Sequence, residues 1–194
     1  LSILLAGVMA VPALAALKVG EKAPDFTAQA SLAGKAFKFS LADALKKGPV
    51  VVYFYPSAFT GGCNIEAHTF AENKEKFDAA GASIIGVSQD SIDRLNAFSA
   101  DPQYCAGKIA VASDANGAIA TSYNLTKSAA RSGMKDTRGV AIDHGFTERT
   151  TFVVTPDGKV AAVFSSADDK ISPAEHVAKS LDAVQQLTAS KTAE

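Results

Sequence analysis

Val50-Val51-Val52-Tyr53-Phe54 is an unbroken apolar run, β-branched and aromatic, that stops at Pro56 and the paired glycines Gly61-Gly62. Such a run bounded by turn residues predicts a buried strand over Val50 to Tyr55, and the segment after Cys63 predicts a helix from Asn64 to Ala80. Strand and helix signals alternate around this pair. Strands are predicted at Ala36 to Phe39, Ser83 to Ser88 and Ile109 to Ala112, with helices at Ser91 to Ser99 and Gly117 to Tyr123. Arg149 to Thr155 and Lys159 to Phe164 flank the hairpin turn Pro156-Asp157-Gly158. A last helix runs from Pro173 to Leu187, with Ser172 as N-cap and Pro173 at the first helical position. From Val50 on, the order βαβαβα followed by ββα predicts an α/β three-layer sandwich, a central sheet covered by helices on both faces. Thr126 to Phe146 fits no element and is long for a loop inside a compact domain. It carries Lys127, Arg131, Gly133, Lys135, Arg138 and His144, and is expected to be an exposed, solvated excursion, with a cover over the active site or a partner-binding segment as the alternatives.

The strand, loop and helix around Pro56 place Cys63 in a first helical turn. Unpaired backbone N–H groups and the positive end of the helix dipole both favour a thiolate there. A cysteine that merely packs as a small hydrophobe is the alternative. Such a residue needs no Pro, Thr and two glycines in front of it.

Composition narrows the class. The chain has 194 residues, 47% apolar and 20% charged, enough for one domain with a sizeable core. With a formal net charge of −1, nothing in the composition suggests a phosphate-binding or membrane-binding surface, so nucleic acid is not an expected partner. Leu1 to Ala16 differs from everything after it: it carries no charge and ends in a small-x-small pattern at Ala13 and Ala15. A membrane anchor needs about 20 apolar residues, and this run is shorter and broken by Gly7 and Pro12. Residues 1–16 are therefore expected to be a cleaved secretory leader and 17–194 a single exported domain in an oxidising compartment such as a bacterial periplasm, without stable membrane association. A buried or amphipathic N-terminal helix is the alternative.

Pro56, Thr60 and Cys63, with Glu66 three residues further on, resemble the active-site loop of the peroxiredoxins, thiol peroxidases of the thioredoxin-like superfamily. Gly20-Glu21-Lys22-Ala23-Pro24-Asp25-Phe26 is similar to the usual start of that domain, and Arg149-Thr150-Thr151-Phe152-Val153-Val154 resembles the strand carrying the family's arginine. Within the family the chain looks most like the bacterioferritin-comigratory or Q-type branch. Gly61 departs from the pattern, since many members have Pro there. The resemblance implies a thioredoxin-like fold and a reaction in which Cys63 attacks a peroxide, hydrogen peroxide or a small organic hydroperoxide. Ionisation alone does not make a fast peroxidase: for a thiol, moving the pKa from about 8.5 to about 6 raises the thiolate fraction at neutral pH only roughly 30-fold. The remainder falls to groups that hold the peroxide and stabilise charge along the breaking O–O bond. By the resemblance these are Thr60, whose hydroxyl can donate and accept at once, and Arg149, with a permanent charge and a fork of donors. Pro56 would shape and shield the pocket, and Glu66 would pair with Arg149. Without the family match, Arg149 reads as an edge-strand arginine in a surface ion pair.

The sulfenic acid left on Cys63 must condense with a thiol or oxidise further, and Cys105 is the other cysteine in the chain. Some Q-type relatives carry the resolving cysteine five residues after the first, where this chain has His68. Cys105 lies where other members of that branch place it, and is expected to resolve Cys63 as an intramolecular disulfide. A packing residue in a one-cysteine enzyme, a link to another subunit and a permanent structural disulfide remain open. His68, His144 and His176 are dispersed and the cysteines lack zinc-like spacing, so no metal is expected. No glycine-rich dinucleotide fingerprint follows a strand, so no cofactor is expected and electrons would arrive from a thioredoxin-like dithiol partner. A monomer or homodimer is expected. The competing functions are a non-catalytic thioredoxin-fold redox sensor and an exported thiol-disulfide exchange enzyme.

Overall fold

Alternate residues of the central strand face opposite ways, and each face meets its own core. The computed structural model describes residues 15–191. All but the last two residues of the expected leader lie outside the described residues, while Ala16 and Leu17 already pack against the core. The described chain opens with a hairpin, β1 (Thr27–Leu32) and β2 (Lys35–Ser40), turned by Ala33 and Gly34. Both turn residues have positive φ, 51° and 78°, as a two-residue primed turn requires. Then come α1 (Leu41–Leu45), β3 (Val50–Phe54), α2 (Gly61–Ala79), β4 (Ser83–Ser88), α3 (Ile92–Ala100), β5 (Ala110–Ser113) and α4 (Ala118–Ser122). A small two-stranded ladder, β6 (Lys127–Ser128) with β7 (Phe146–Thr147), frames the next excursion. The hairpin β8 (Thr150–Val154) and β9 (Val160–Ser165), then α5 (Ser166–Asp169) and α6 (Pro173–Lys191), complete the order.

Seven strands form one mixed sheet in the order β2-β1-β5-β4-β3-β8-β9. β3, β4 and β5 are parallel, and β1, β2, β8 and β9 join antiparallel. Val51, Tyr53 and Tyr55 share a buried cluster with Phe70 and Phe77 of α2, Leu95 and Phe98 of α3, and Val177 and Val184 of α6. Val50, Val52 and Phe54 share the other with Leu41 and Leu45 of α1, Ala120 of α4 and Tyr123. This is the three-layer sandwich expected. Among the described residues, no helix is long and apolar enough to cross a membrane.

The differences from expectation are local. β1 was not predicted because the apolar positions of Thr-Ala-Gln-Ala-Ser-Leu, though they alternate, are only two alanines and a leucine, a weak strand signal, and its pairing with β2 and β5 comes from the tertiary fold. α1 has five residues, too few for a helical period to register, and forms on the Ser40 cap, whose hydroxyl accepts from the Asp43 N–H. α2 starts at Gly61, three residues before the predicted Asn64, which still leaves Cys63 in its first turn. The Ser172 cap is as expected, and reciprocal: its Oγ accepts from Glu175 N–H at 3.3 Å while its own N–H donates to the Glu175 carboxylate at 2.7 Å.

Register is what assembles the site. Phe54 pairs with Val87 in the parallel direction and with Thr150 in the antiparallel one. The carboxyl ends of β3 and β4 are thus level with the amino end of β8. The residues after Phe54, those after Ser88 and those before Thr150 therefore share one edge of the sheet.

Tyr53 lies opposite Gly86 in the same ladder, and a Cβ at Gly86 would come 2.5 Å from Tyr53 Cζ. The buried ring has no room to retreat. Gly86→Ala is expected to lower the unfolding free energy by about 1–3 kcal/mol, measured by urea denaturation, with part of the loss recovered in Tyr53→Leu/Gly86→Ala.

Candidate active site

Thr60 caps α2 in position but not by its side chain. Its hydroxyl donates to the Ser57 carbonyl at 2.7 Å and makes no capping bond, so the first-turn N–H groups of α2 are left for an anion. With that proton committed, the lone pairs of Thr60 Oγ1 are what it can offer a substrate. Pro56, half-buried, starts the loop. Cys63, 2% exposed, sits within that uncapped turn.

Arg149, the residue before β8, reaches the same turn. Its Nη2 donates to Cys63 Sγ at 3.2 Å and its Nη1 to Glu66 Oε2. Burial works against the guanidinium's charge, and Glu66 and Cys63 beside it more than offset this, holding Arg149 above its ordinary value. Glu66 is fully buried. Burial pushes its carboxyl up to about 7 against the pull of the Arg149 charge and hydrogen bond. Gly62 makes the approach possible, because a Cβ there would meet Arg149 Nη2 at 3.1 Å and Pro173 Cγ at 3.3 Å. Of the residues singled out in sequence, Cys63, Glu66 and Arg149 therefore converge, with Thr60 at the N-cap of the same helix.

His176, not predicted as part of the site, lies within electrostatic reach of the arginine. It is buried between the hydroxyls of Thr151, 2.9 Å from Nδ1, and Ser166, 2.8 Å from Nε2. Burial, then the Arg149 charge, push it down to about 4, so near neutrality it places no second cation beside the guanidinium.

The segment expected to be an exposed, solvated excursion is mostly exposed, and it also clamps the loop that carries Cys63. Thr137 donates both its N–H and its hydroxyl to the Phe59 carbonyl, each at 2.9 Å. Phe59 has φ of 61°, an outlier for a bulky residue, and the Arg138 guanidinium carbon lies 3.3 Å from its ring centroid. Asp90, just beyond β4, is the hub beneath. It accepts from the Ala58 N–H at 2.8 Å, Arg94 Nε at 2.7 Å and His144 Nε2 at 2.8 Å, with the Ser57 and Ser88 hydroxyls also bound. Asp136 answers it from the excursion, bonded to both Arg94 and Arg138. None of Asp90, Arg94, Asp136 or Arg138 was assigned a role from sequence. The parallel β3–β4 pairing would have shown Asp90 level with Ser57 had the register been readable.

Cys105 lies fully buried after α3, in the same apolar cluster as Cys63 and Phe59. Both cysteines are free thiols. Burial, with a smaller push from Asp101, raises the Cys105 thiol well above the ordinary range. Among the described residues, no three His, Cys, Asp or Glu side chains gather as metal ligands.

A buried thiol at an uncapped helix N-terminus, bonded by an arginine that a carboxylate anchors, defines a thiol-dependent redox enzyme. Residues 19–163 match the AhpC/TSA family, and the chain belongs to it: it is a peroxiredoxin, a thiol peroxidase. A Coxiella burnetii protein bearing the peroxiredoxin bcp name is 31% identical over 163 residues, covering 84% of this chain and 95% of that one. Among solved structures, peroxidoxin BcpB of Mycobacterium tuberculosis superposes with a TM-score of 0.71 at 28% identity, covering 88% of this chain and 97% of that one. The bacterioferritin comigratory protein of Xanthomonas campestris, solved in trapped intermediate and ligand complexes bearing on its alkyl peroxide reduction activity, gives 0.64 at 26% identity, covering 84% and 92%. These place the chain in the bacterioferritin-comigratory, Q-type branch with a thioredoxin-like fold.

Both ring nitrogens of His144 face acceptors, Asp90 Oδ1 at 2.8 Å and the Gly145 carbonyl at 2.8 Å, so the ring is held as an imidazolium. Burial lowers its affinity for the proton, but the Asp90 hydrogen bond and charge raise it further, leaving His144 above its ordinary value despite Arg94 nearby. Asp90 is itself held low, burial being outweighed by His144, Ser88 and the Ala58 N–H. The His144 contribution is therefore full below its unfolded value of about 6.5 and fades as pH climbs through the raised folded value. Urea titrations of wild type and His144→Gln should differ by about 1–3 kcal/mol at mildly acidic pH, and the gap should narrow above neutrality. A constant gap would show that the ring's charge contributes nothing.

Proposed function

We propose that Cys63 is the peroxidatic nucleophile of this peroxidase, that Arg149 and Thr60 hold the peroxide, and that Cys105 resolves the oxidised thiol. The observation that carries this reading is the Arg149 guanidinium, bonded to Cys63 Sγ at 3.2 Å and tied from behind to Glu66. A cation anchored there faces the oxygen that gains charge as the O–O bond breaks. The Thr60 lone pairs accept the peroxide O–H, and Pro56 shapes the rim. The uncapped amides of α2 receive the developing anion.

The Cys63 thiolate attacks one peroxide oxygen, an S–O bond forms, and the other oxygen leaves with the electron pair and takes a proton as water or alcohol. Cys63 is then a sulfenic acid, two electrons more oxidised. The Cys105 sulfur displaces its hydroxyl as water, giving a disulfide that an external thioredoxin-like dithiol reduces. Hydrogen peroxide and small organic hydroperoxides are the proposed substrates, in keeping with the alkyl peroxide activity named for the Xanthomonas relative. We also infer export: the uncharged Leu1 to Ala16 run with its small-x-small end supports a cleaved leader, a domain over 17–194 and a periplasmic site of action.

Mass spectrometry of the prereduced protein given one equivalent of hydrogen peroxide tests the assignment. Wild type should lose two hydrogens as a Cys63–Cys105 disulfide, and Cys105→Ser should stop at a sulfenic or over-oxidised Cys63. Cys63→Ser should not react on that timescale. A wild-type Cys63 that reacts no faster than an ordinary free thiol would overturn the reading.

A further inference from the structure

The resolving step poses a geometric problem that the peroxide step does not. A disulfide needs a narrow range of Cα separation and a specific dihedral angle. Cys63 is fixed in a helical turn and bonded to Arg149, while Cys105 is fully buried. Phe59, four residues before Cys63 and 1% exposed, belongs to the same cluster. Its ring packs edge-on against Phe98 at 5.0 Å and against Tyr104, the neighbour of Cys105, at 5.7 Å. The outer side of that ring is covered by Arg138, whose Nε and Nη2 donate to Asp136 at 3.1 and 2.8 Å. Asp136 is pinned in turn by Arg94 Nη2 at 2.7 Å and by the N–H groups of Arg138 and Val140. The Phe59 carbonyl is held by two donors from Thr137. A residue with φ of 61° persists only while its surroundings over-determine it, and these contacts do so.

We propose that Arg138, held by Asp136 and stacked on Phe59, is a positioning residue that sets how long the Cys63 sulfenic acid lasts before Cys105 reaches it. The proposal rests on the reading of Cys105 as the resolving cysteine. With the latch closed, the loop presents Cys63 to peroxide and Phe59 plugs the region around Cys105. With it open, Phe59 leaves, the first turn of α2 loosens and the two sulfurs can meet. Two reactions compete for the sulfenic acid. Cys105 displaces hydroxyl from the Cys63 sulfur to give the disulfide and water, or a second peroxide oxidises the same sulfur to the sulfinic acid and leaves as water or alcohol. Opening the latch speeds the first by letting Cys105 approach, and it also takes the Cys63 sulfur out of the position in which the closed loop presents it to peroxide, so both effects favour the disulfide. Burial of Cys105 acts the same way, since a thiol held protonated in the closed state is a poor nucleophile.

Arg138→Ala removes the stack and the ion pair, and Thr137→Val removes a hydrogen bond to the Phe59 carbonyl while leaving Arg138 in place. Rapid-quench mass spectrometry under peroxide pulses reads thiol loss, disulfide and sulfinic acid separately. In both variants thiol loss should hold or slow, while sulfenic acid should convert to disulfide about tenfold faster for Arg138→Ala, a change of the size that losing a stacked, ion-paired arginine supports. The peroxide dose giving half sulfinic acid should rise by the same factor. Arg138→Lys, which keeps the charge but not the planar stack, should fall between. If Arg138→Ala does not fold, Thr137→Val decides. Both steps slowing together, or a disulfide that forms in wild type with its partition unchanged in the variants, would overturn the latch alone. No Cys63–Cys105 disulfide in wild type would overturn the Cys105 reading and the latch with it.

Discussion

A guanidinium that is only 11% exposed must find hydrogen-bond acceptors, and those that Arg149 bonds are the Glu66 carboxyl and the Cys63 sulfur. Water cannot solvate this charge well, so the cost of burying it is offset by the groups that bond it. Much of the local architecture results from that constraint. Gly62 leaves Nη2 its place, because a Cβ there would come 3.1 Å from it and press the guanidinium aside by a few tenths of an ångström. Glu66 has to be in the first turns of α2, where its carboxylate can brace the arginine from behind. His176 has to stay neutral nearby, and it is fixed so by burial between Thr151 and Ser166. Each of these sustains one guanidinium in one orientation, aimed at one sulfur.

The sheet register brings Arg149 there. Arg149 is 86 residues from Cys63 in the chain, yet Phe54 opposite Thr150 makes them neighbours. The neighbouring ladder, with Phe54 opposite Val87, brings Asp90 beneath the loop. The loop itself is held from below by Asp90 and from outside by Thr137 and Arg138, so a backbone with an unfavourable φ at Phe59 is stable only as part of the whole assembly. Loop strain and long-range polar contacts thus support one another, and the side of the site that moves is separate from the side that holds the charge.

This division also decides which parts were legible in the sequence. The Val50 to Phe54 run, the helix after it and the hairpin at Pro156-Asp157-Gly158 are coded by local pattern, and each forms, the helix starting three residues earlier than read. The meeting of Cys63, Glu66 and Arg149 was anticipated because each belongs to a motif. β1 escaped because its alternation is carried mostly by alanines, too small to stand out as a strand face, and α1 because five residues hold barely one turn. The clamp escaped for a different reason. Lys-Asp-Thr-Arg-Gly at 135–139 reads as a hydrophilic surface loop, and the burial of its Asp depends on Arg94 and Arg138 arriving from two directions. A charge network whose members lie far apart in sequence has no local signature.

The central claim is that Arg149 contributes to peroxide cleavage itself and not only to the general reactivity of the thiol toward electrophiles. Stopped-flow rates of Cys63 oxidation by hydrogen peroxide, set beside alkylation by iodoacetamide, separate these in Arg149→Lys, which keeps a charge but loses the planar fork that reaches Glu66 and Cys63 together. The peroxide rate should fall by about 100-fold, the scale of losing one oriented donor at a developing oxyanion, while alkylation falls far less. A peroxide rate within about threefold of wild type, on that same scale of donor loss, would contradict the claim.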